Sequence, residues 1–267
     1  MQMKRIFLSC IIVISVIMLY GASIGTELTE AATTSFERVN TITVGNETYS
    51  TVWVRDEMYE KQKIGYSVYN FVVTKNGKET IIEQEVLDCF ITDKKVIYYT
   101  KIGNSKNTIY KYNLKSGKKK KILLAKKVGV FGCSGRYLYY GKYNMGYNRS
   151  GMYANMYTCR LKDKKKIHMV NNIGSVKYHK KYVLLEGGAS DVSNTPIYLF
   201  KENGKKVKKL TRALNSRFKG KKIYCTICKY DNDYQMYYKV ISFSLNGKNK
   251  KTVVKWTKDY SKIQQYQ

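Results

Sequence analysis

The side chains with reactive chemistry are few, and their spacing limits what they can do. Cys225 and Cys228 have the C-x-x-C spacing of redox and zinc sites, but they lie in "KKIYCTICKY", a strand-like run. On a strand, residues three apart point to opposite faces, so the pair cannot chelate one ion together and reads as packing thiols. With Cys89, Cys133 and Cys159 they make five cysteines outside the N-terminal apolar run, an odd number that gives no tidy disulfide framework. The two histidines are His179, on a turn, and His168, beside an outer strand. No G-x-S-x-G elbow, HExxH helix or phosphate loop accompanies them, so a nucleophile–histidine relay has no support. Asp231-Asn232-Asp233 offers oxygen ligands, but the glycine and distal glutamate of an EF-type calcium loop are missing. Asp88 and Asp93 are the candidates for a paired-carboxylate glycosidase. Asp93 belongs to a turn, however, and the corresponding places further along the chain hold Cys133, Lys177 and Lys219. Binding is therefore favoured over catalysis, and no metal or cofactor is expected.

Composition explains why binding is the stronger reading. The 267 residues carry 49 Lys+Arg against 19 Asp+Glu, a formal charge of +30. Such a charge attracts anionic polymers and surfaces. Lysine predominates over arginine, which weighs against base-specific readout and so against sequence-specific nucleic acid. The N-terminus has a short basic stretch, "MQMKR", then the apolar "IFLSCIIVISVIMLYGA" and small residues near 21–23 and 29–32. Residues 1–32 read as an export signal, or as a membrane anchor if they stay uncleaved. Lys4 and Arg5 balance Glu27 and Glu30, so the exported part keeps the whole +30. The expected location is secreted or cell-surface, with membrane contact only through this segment.

Elements that could position a site repeat along the chain. "KKVIYYTKI" (94–102), "GRYLYYGKY" (135–143), "KKYVLLEGG" (180–188) and "KKIYCTICK" (221–229) align without gaps. Each is followed by a second anchor: "IYKYNLKSGKKKKI", "MYTCRLKDKKKI", "IYLFKENGKKVKKL" and "VISFSLNGKNKK". A weaker first copy reads "YSTVWVRD" and "FVVTKNGKETII". Turn centres at Gly77, Gly117, Asp163, Gly204 and Gly247 are separated by 40, 46, 41 and 43 residues. That is the length of four short strands with their turns, the period of a propeller blade. The fold class is all-β: a β-propeller with five recognisable four-stranded blades in one domain over 36–258, then a C-terminal tail, 259–267. A short sixth blade, or closure by a strand around Phe36 to Thr43, would complete the ring.

These segments resemble the secreted bacterial β-propellers related to the TolB-like superfamily. Their blades run as a turn, an "xLYY" strand, a variable loop and "LYxxxLxxGKxxxL". The resemblance covers about 41 to 255 and implies the fold; propellers of this kind serve many functions, so it assigns none.

A meander A–B–C–D puts its A–B and C–D turns at one end and its B–C loops at the other. The first end collects Lys94, Lys95, Lys118, Lys119, Lys164, Lys165, Lys180, Lys181, Lys205, Lys206, Lys221, Lys222 and Lys248. These would form a cationic face for an anionic cell-wall or extracellular polymer, bound weakly and salt-sensitively. Lysines in hairpin turns are also ordinary solvated side chains that protect strand edges. The opposite end carries Tyr143, Tyr147, Asn148, Tyr153, Asp191, Asn194, Asp231, Asp233 and Tyr234, which suit a polar ligand such as a glycan or peptide. The expected function is a non-catalytic binding module; the alternative is a glycan-active hydrolase or lyase.

Overall fold

The computed structural model describes residues 36–38, 40–59, 64–92, 95–143, 154–188 and 194–267. The export segment lies outside them, as do Asp93, Lys94, Tyr147, Asn148, Tyr153 and Asp191.

The described residues form five consecutive antiparallel meanders. Blade 1 comprises β2 (Thr41–Val44), β3 (Glu47–Tyr59), β4 (Ile64–Lys75) and the first part of β5 (Lys78–Thr92). Blade 2 takes the rest of β5, then β6 (Val96–Lys101), β7 (Asn107–Asn113) and β8 (Lys119–Ala125). Blade 3 is β9 (Val128–Cys133), β10 (Tyr137–Tyr143), β11 (Ala154–Arg160) and the first part of β12 (Lys166–His179). Blade 4 is the rest of β12, then β13 (Tyr182–Gly187), β14 (Thr195–Lys201) and β15 (Lys206–Ala213). Blade 5 is β16 (Asn215–Lys219), β17 (Lys222–Tyr230), β18 (Met236–Ser244) and β19 (Lys251–Thr257).

Two strands serve two blades each. β5 pairs with β4 up to Val86 and with β6 from Val86 onward, and β12 changes partner in the same way at Ile173. Beside each handover stands a residue in the left-handed region, Glu85 (φ 59°) and Asn172 (φ 57°), which bends the strand into the next blade. Asparagine tolerates that conformation. Glu85 is held there by a two-pronged ion pair with Arg55 at 2.9 and 2.7 Å.

The paired tyrosines of the repeat explain how blades stack. Neighbouring residues on a strand face opposite ways, so each dipeptide of a second strand feeds two layers. Tyr99 packs between blades 1 and 2, and Tyr98 between blades 2 and 3. Tyr140 joins that second layer, while Tyr139 packs between blades 3 and 4. Leu185 and Leu184 repeat the division for blades 3/4 and 4/5. In blade 5 Cys225 enters the 4/5 layer, and its neighbour Tyr224 turns to the last blade's outer face. There Tyr266 packs on it, ring centroids 5.1 Å apart. Tyr260 meets Tyr238 at 5.4 Å, and Ile263, in the short helix α1 (Ser261–Gln264), is fully buried. The C-terminal segment thus caps blade 5.

Closure differs from the expectation. β1 (Phe36–Arg38) pairs with the inner strand of blade 2, Phe36 opposite Thr92 and Arg38 opposite Phe90, and 41–44 is the inner strand of blade 1. The free inner edge of β5 offers unpaired backbone groups, and β1 satisfies them. No apolar layer among the described residues joins blade 5 to blade 1, whose Val52, Trp53, Val54 and Ile81 are exposed.

In blades 4 and 5 the glycine of the third turn leans on the preceding blade. A Cβ on Gly204 (φ +84°) would lie 2.6 Å from Thr158 Cγ2, and one on Gly247 (φ +79°) 3.1 Å from Leu210 Cδ2. Gly204→Ala therefore combines a left-handed backbone with a clash. It should destabilise by about 1–3 kcal/mol in denaturant unfolding, whereas Gly77→Ala, with open space around its Cβ, should lose only the backbone part.

Candidate functional site

The turns that carry the lysines meet in pairs. In blade 2 the Leu114 N–H donates to the Lys95 carbonyl; in blade 3 Leu161 donates to Arg136, and in blade 4 Glu202 to Lys181, at 3.0, 2.9 and 2.9 Å. Each bond ties the turn after the third strand to the turn after the first, so both sets of turns lie at the same end of the sheets. Lys95, Lys118, Lys164, Lys165, Lys180, Lys181, Lys205, Lys221, Lys222 and Lys248 are exposed. Side-chain caps hold these turns firm: Asn113 Oδ1 accepts from Ser116 N, Asn203 Oδ1 from Lys205 N, and Asn246 Oδ1 from Lys248 N.

Two acids at this end, Asp163 and Glu202, are taken by arginines. Arg160 pairs with Asp163, whose carboxyl is held down at about 2 by that contact and by the Lys165 N–H. Arg136 pairs with Glu202. Tyr178 Oη donates to the same carboxylate at 3.2 Å, and Tyr139 Oη to the Glu202 carbonyl at 3.0 Å. Among the described residues, Lys118, Lys164, Lys165, Lys180, Lys181 and Lys205 form no ion pair. Two of the predicted lysines are engaged elsewhere. Lys119 Nζ sits 2.7 Å from Glu83 and over the Tyr110 ring, and Lys206 Nζ lies over Tyr198.

At the opposite end, most of the described candidates have structural work. Asn194 clamps blade 5, its Nδ2 donating to Cys228 O at 2.6 Å and its Oδ1 accepting from Cys228 N at 3.0 Å. Asp231 Oδ1 accepts from the backbone of Asp233 and Gln235 and so builds its own turn. Tyr143 packs on Phe131. Asp233 and Tyr234 stand exposed at the tip of the β17–β18 hairpin, with Tyr234 87% exposed.

Two buried carboxylates have no counterpart in the sequence reading. Glu83, 6% exposed, accepts from Lys101 Nζ, Lys119 Nζ and Tyr99 Oη at 2.6, 2.7 and 3.0 Å, between blades 1 and 2. Burial pushes its pKa up, and these three donors outweigh burial, so the net shift is downward. Glu186 joins blades 4 and 5: its Oε1 accepts from Lys177 Nζ, Ser216 N and Ser216 Oγ at 2.8, 2.6 and 2.7 Å. A general acid needs a raised pKa, so Glu83 is set up as a joint rather than as a catalyst. No spacing rule reveals such residues, because their partners lie 9 to 36 residues away.

Cys225 and Cys228 are not joined in a disulfide, and burial pushes Cys225 to about 12, far from the thiolate chemistry of redox sites. Asp88 is partly buried on β5, and no cluster of three metal-ligating side chains occurs among the described residues. His179 stacks on Phe218 at 5.3 Å, and burial, then Lys180, lowers its pKa. A base whose folded pKa is depressed binds its proton more readily when unfolded. Stability should therefore decline as the pH falls below about 6.5, its unfolded value. Thermal unfolding from pH 7.5 to 5 should show the decline, and His179→Phe should flatten it.

Fold and stacking define a β-propeller. Solved structures agree at the level of fold. Acylaminoacyl peptidase from Pyrococcus horikoshii superposes with a TM-score of 0.53 at 15% identity, over 82% of this chain and 39% of that one. An acylaminoacyl peptidase in complex with Z-Gly-Gly-Phe-chloromethyl ketone also gives 0.53, at 14% identity, over 79% of this chain and 38% of that one. The chain thus spans less than two-fifths of these enzymes. TolB from Acinetobacter baumannii is also among the matches, at 0.39 and 11% identity over 89% of this chain and 67% of that one. No family model and no curated protein matches the sequence.

Proposed function

We propose that this chain is an exported, surface-held propeller that binds an anionic wall or extracellular polymer through its turn face, without catalysis. The observation that carries the reading is the pairing of turns by the Leu114, Leu161 and Glu202 backbone bonds. It brings lysines scattered along the sequence to one end of the sheets, while Arg160 and Arg136 occupy Asp163 and Glu202 there. Export rests on the basic and apolar N-terminal segment. On the opposite end the exposed Asp233 and Tyr234 are the remaining contact for a glycan or peptide.

The test is retention of the mature chain on immobilised polyglycerol phosphate and on a polyuronate, at low and moderate salt. A variant with Lys118, Lys164, Lys165, Lys180, Lys181 and Lys205 changed to Gln should elute at distinctly lower salt. Equal retention of both proteins at every salt concentration would remove the turn face as the binding surface.

A further inference from the structure

Blade 5 carries a row of lysines that differs in kind from the turn face. The β17–β18 pairing puts Tyr237 opposite Lys229 and Lys239 opposite Ile227. Alternation places these side chains on the face that, further along, supplies Cys225 and Ile241 to the 4/5 layer. Where that apolar layer stops, cations and rings take turns. Lys258 Nζ lies 4.9 Å from the centre of the Tyr237 ring, and Lys229 Nζ lies 5.6 Å from the same ring. Lys229 is also 4.9 Å from the Trp256 ring of β19, and Lys239 is 5.9 Å from it. Three ammonium groups are thus strung on two rings. Elsewhere such a contact joins one lysine to one tyrosine, as at Tyr110, Tyr157 and Tyr198.

We propose that this row docks an extended acidic peptide segment of a partner protein; the proposal deepens the reading of the loop end as a ligand contact and rests on it. The first reason is charge. Among the described residues Lys229 and Lys239 form no ion pair. Lys258 has only Asp231, at 3.7 Å. Lys229, Trp256 and Lys258 are exposed, so the row is open to a ligand. The second is order. A loose lysine gives up rotamer freedom when it binds, and the rings have already restrained these three. Mobile turn-face lysines suit a polymer of no fixed shape, whereas held ones suit a ligand of fixed spacing. The third is that spacing. Lys239 is the diagonal neighbour of Lys229 across the strand pair, so their side chains start about 7–8 Å apart. An extended peptide shows alternate side chains on one face about 6.6 Å apart. Alternating carboxylates therefore meet successive ammonium groups.

The hairpin tip extends the row. Asp231 approaches Lys258 and also builds the turn, accepting from Asp233 N and Gln235 N. That turn holds Tyr234 in the left-handed region, at φ 57°, with the residue 87% exposed. A bulky residue is uncommon in that conformation, and tyrosine is a frequent anchor of protein contacts. An apolar residue at one end of the peptide would pack on it.

The experiment is calorimetric titration of the full chain with a short peptide of alternating glutamate and threonine. One control has glutamine for glutamate, and another has the same glutamates gathered in a block. The alternating peptide should bind about fivefold more tightly than the block, and the glutamine peptide not at all. Lys229→Gln should weaken binding about fivefold. Trp256→Leu keeps every charge but frees Lys229 and Lys239, so it should also weaken binding about fivefold. Trp256→Phe keeps a ring and should stay within about twofold of the parent chain. Both positions are exposed, and matched thermal unfolding confirms that the variants fold. The sextuple turn-face variant should bind the peptide within about twofold of the parent chain. Absence of heat with the alternating peptide overturns the proposal. Equal binding of the block does so too, as does unchanged binding by Trp256→Leu, because charge alone is then at work. Tighter binding of an oligogalacturonate of equal charge would give the row to a glycan and overturn the peptide. If the peptide binds while parent and sextuple chains are retained equally on polyglycerol phosphate, the turn-face reading falls alone.

Discussion

Raising salt from 50 to 200 mM should weaken binding of a flexible polyphosphate about 300-fold. The figure follows from counterion release. Each phosphate neutralised contributes about −0.7 to the slope of log affinity against log salt for a single flexible strand. Six lysines on the turn face then give a slope near −4. Lys118, Lys164, Lys165, Lys180, Lys181 and Lys205 are the six, being exposed and outside any ion pair of the described residues. Changing Lys180 and Lys181 to Gln should lower the slope by about 1.4, because each lysine acts through the same release. The pair lies in one turn, tied to the next by the Glu202 N–H, so the loss is local and the fold is retained. Lysine ammonium is a compact point charge rather than a fork, so polyphosphate and polyuronate of equal charge density should bind alike. A flat salt profile, or strong preference for one backbone chemistry, would assign the interaction to another part of the molecule.

The sequence disclosed those parts of the molecule whose cause is local. The period-two pattern of "KKIYCTICKY" separates Cys225 from Cys228, and only Cys225 reaches the 4/5 layer. Consecutive Tyr98 and Tyr99, or Tyr139 and Tyr140, announce strands buried on both faces. Turn glycines mark the blade period because a left-handed backbone is needed at Gly77, Gly117, Gly204 and Gly247. What was hidden depends on contacts between blades. β5 and β12 run continuously through the handovers at Glu85 and Asn172, and neither residue type signals a break. Glu83, Glu186 and Glu202 look like ordinary surface acids until the neighbouring blade supplies their donors. Asn194 and Asp231 have the side chains of a ligand site and also those of a clamp and a turn; geometry alone separates the two uses.

Glu186→Ala should be the most damaging single substitution at a polar position. The residue is 9% exposed, and its carboxylate holds two blades together through one oxygen. Removing it leaves the N–H and hydroxyl of Ser216 without an acceptor at a residue with no exposed surface. Each such group costs about 1–3 kcal/mol. Lys177 loses its counter-ion, but its side chain is 38% exposed and can turn to water. The total is therefore about 3–5 kcal/mol, the range of a broken buried pair. For a domain of this size each kcal/mol is worth about 2–4 °C, so the melting temperature should fall roughly 10 °C. Glu186→Gln should recover part of the loss, since the amide oxygen can still accept from Ser216 N while the charge on Lys177 stays unbalanced. A double change to Glu186→Met and Lys177→Met should recover more, because it removes the ion with its partner and fills the space. That ordering, Ala below Gln below the double variant, separates a charged joint from mere loss of volume. If volume were the cause, Gln would match the parent chain and the Met pair would gain nothing over it.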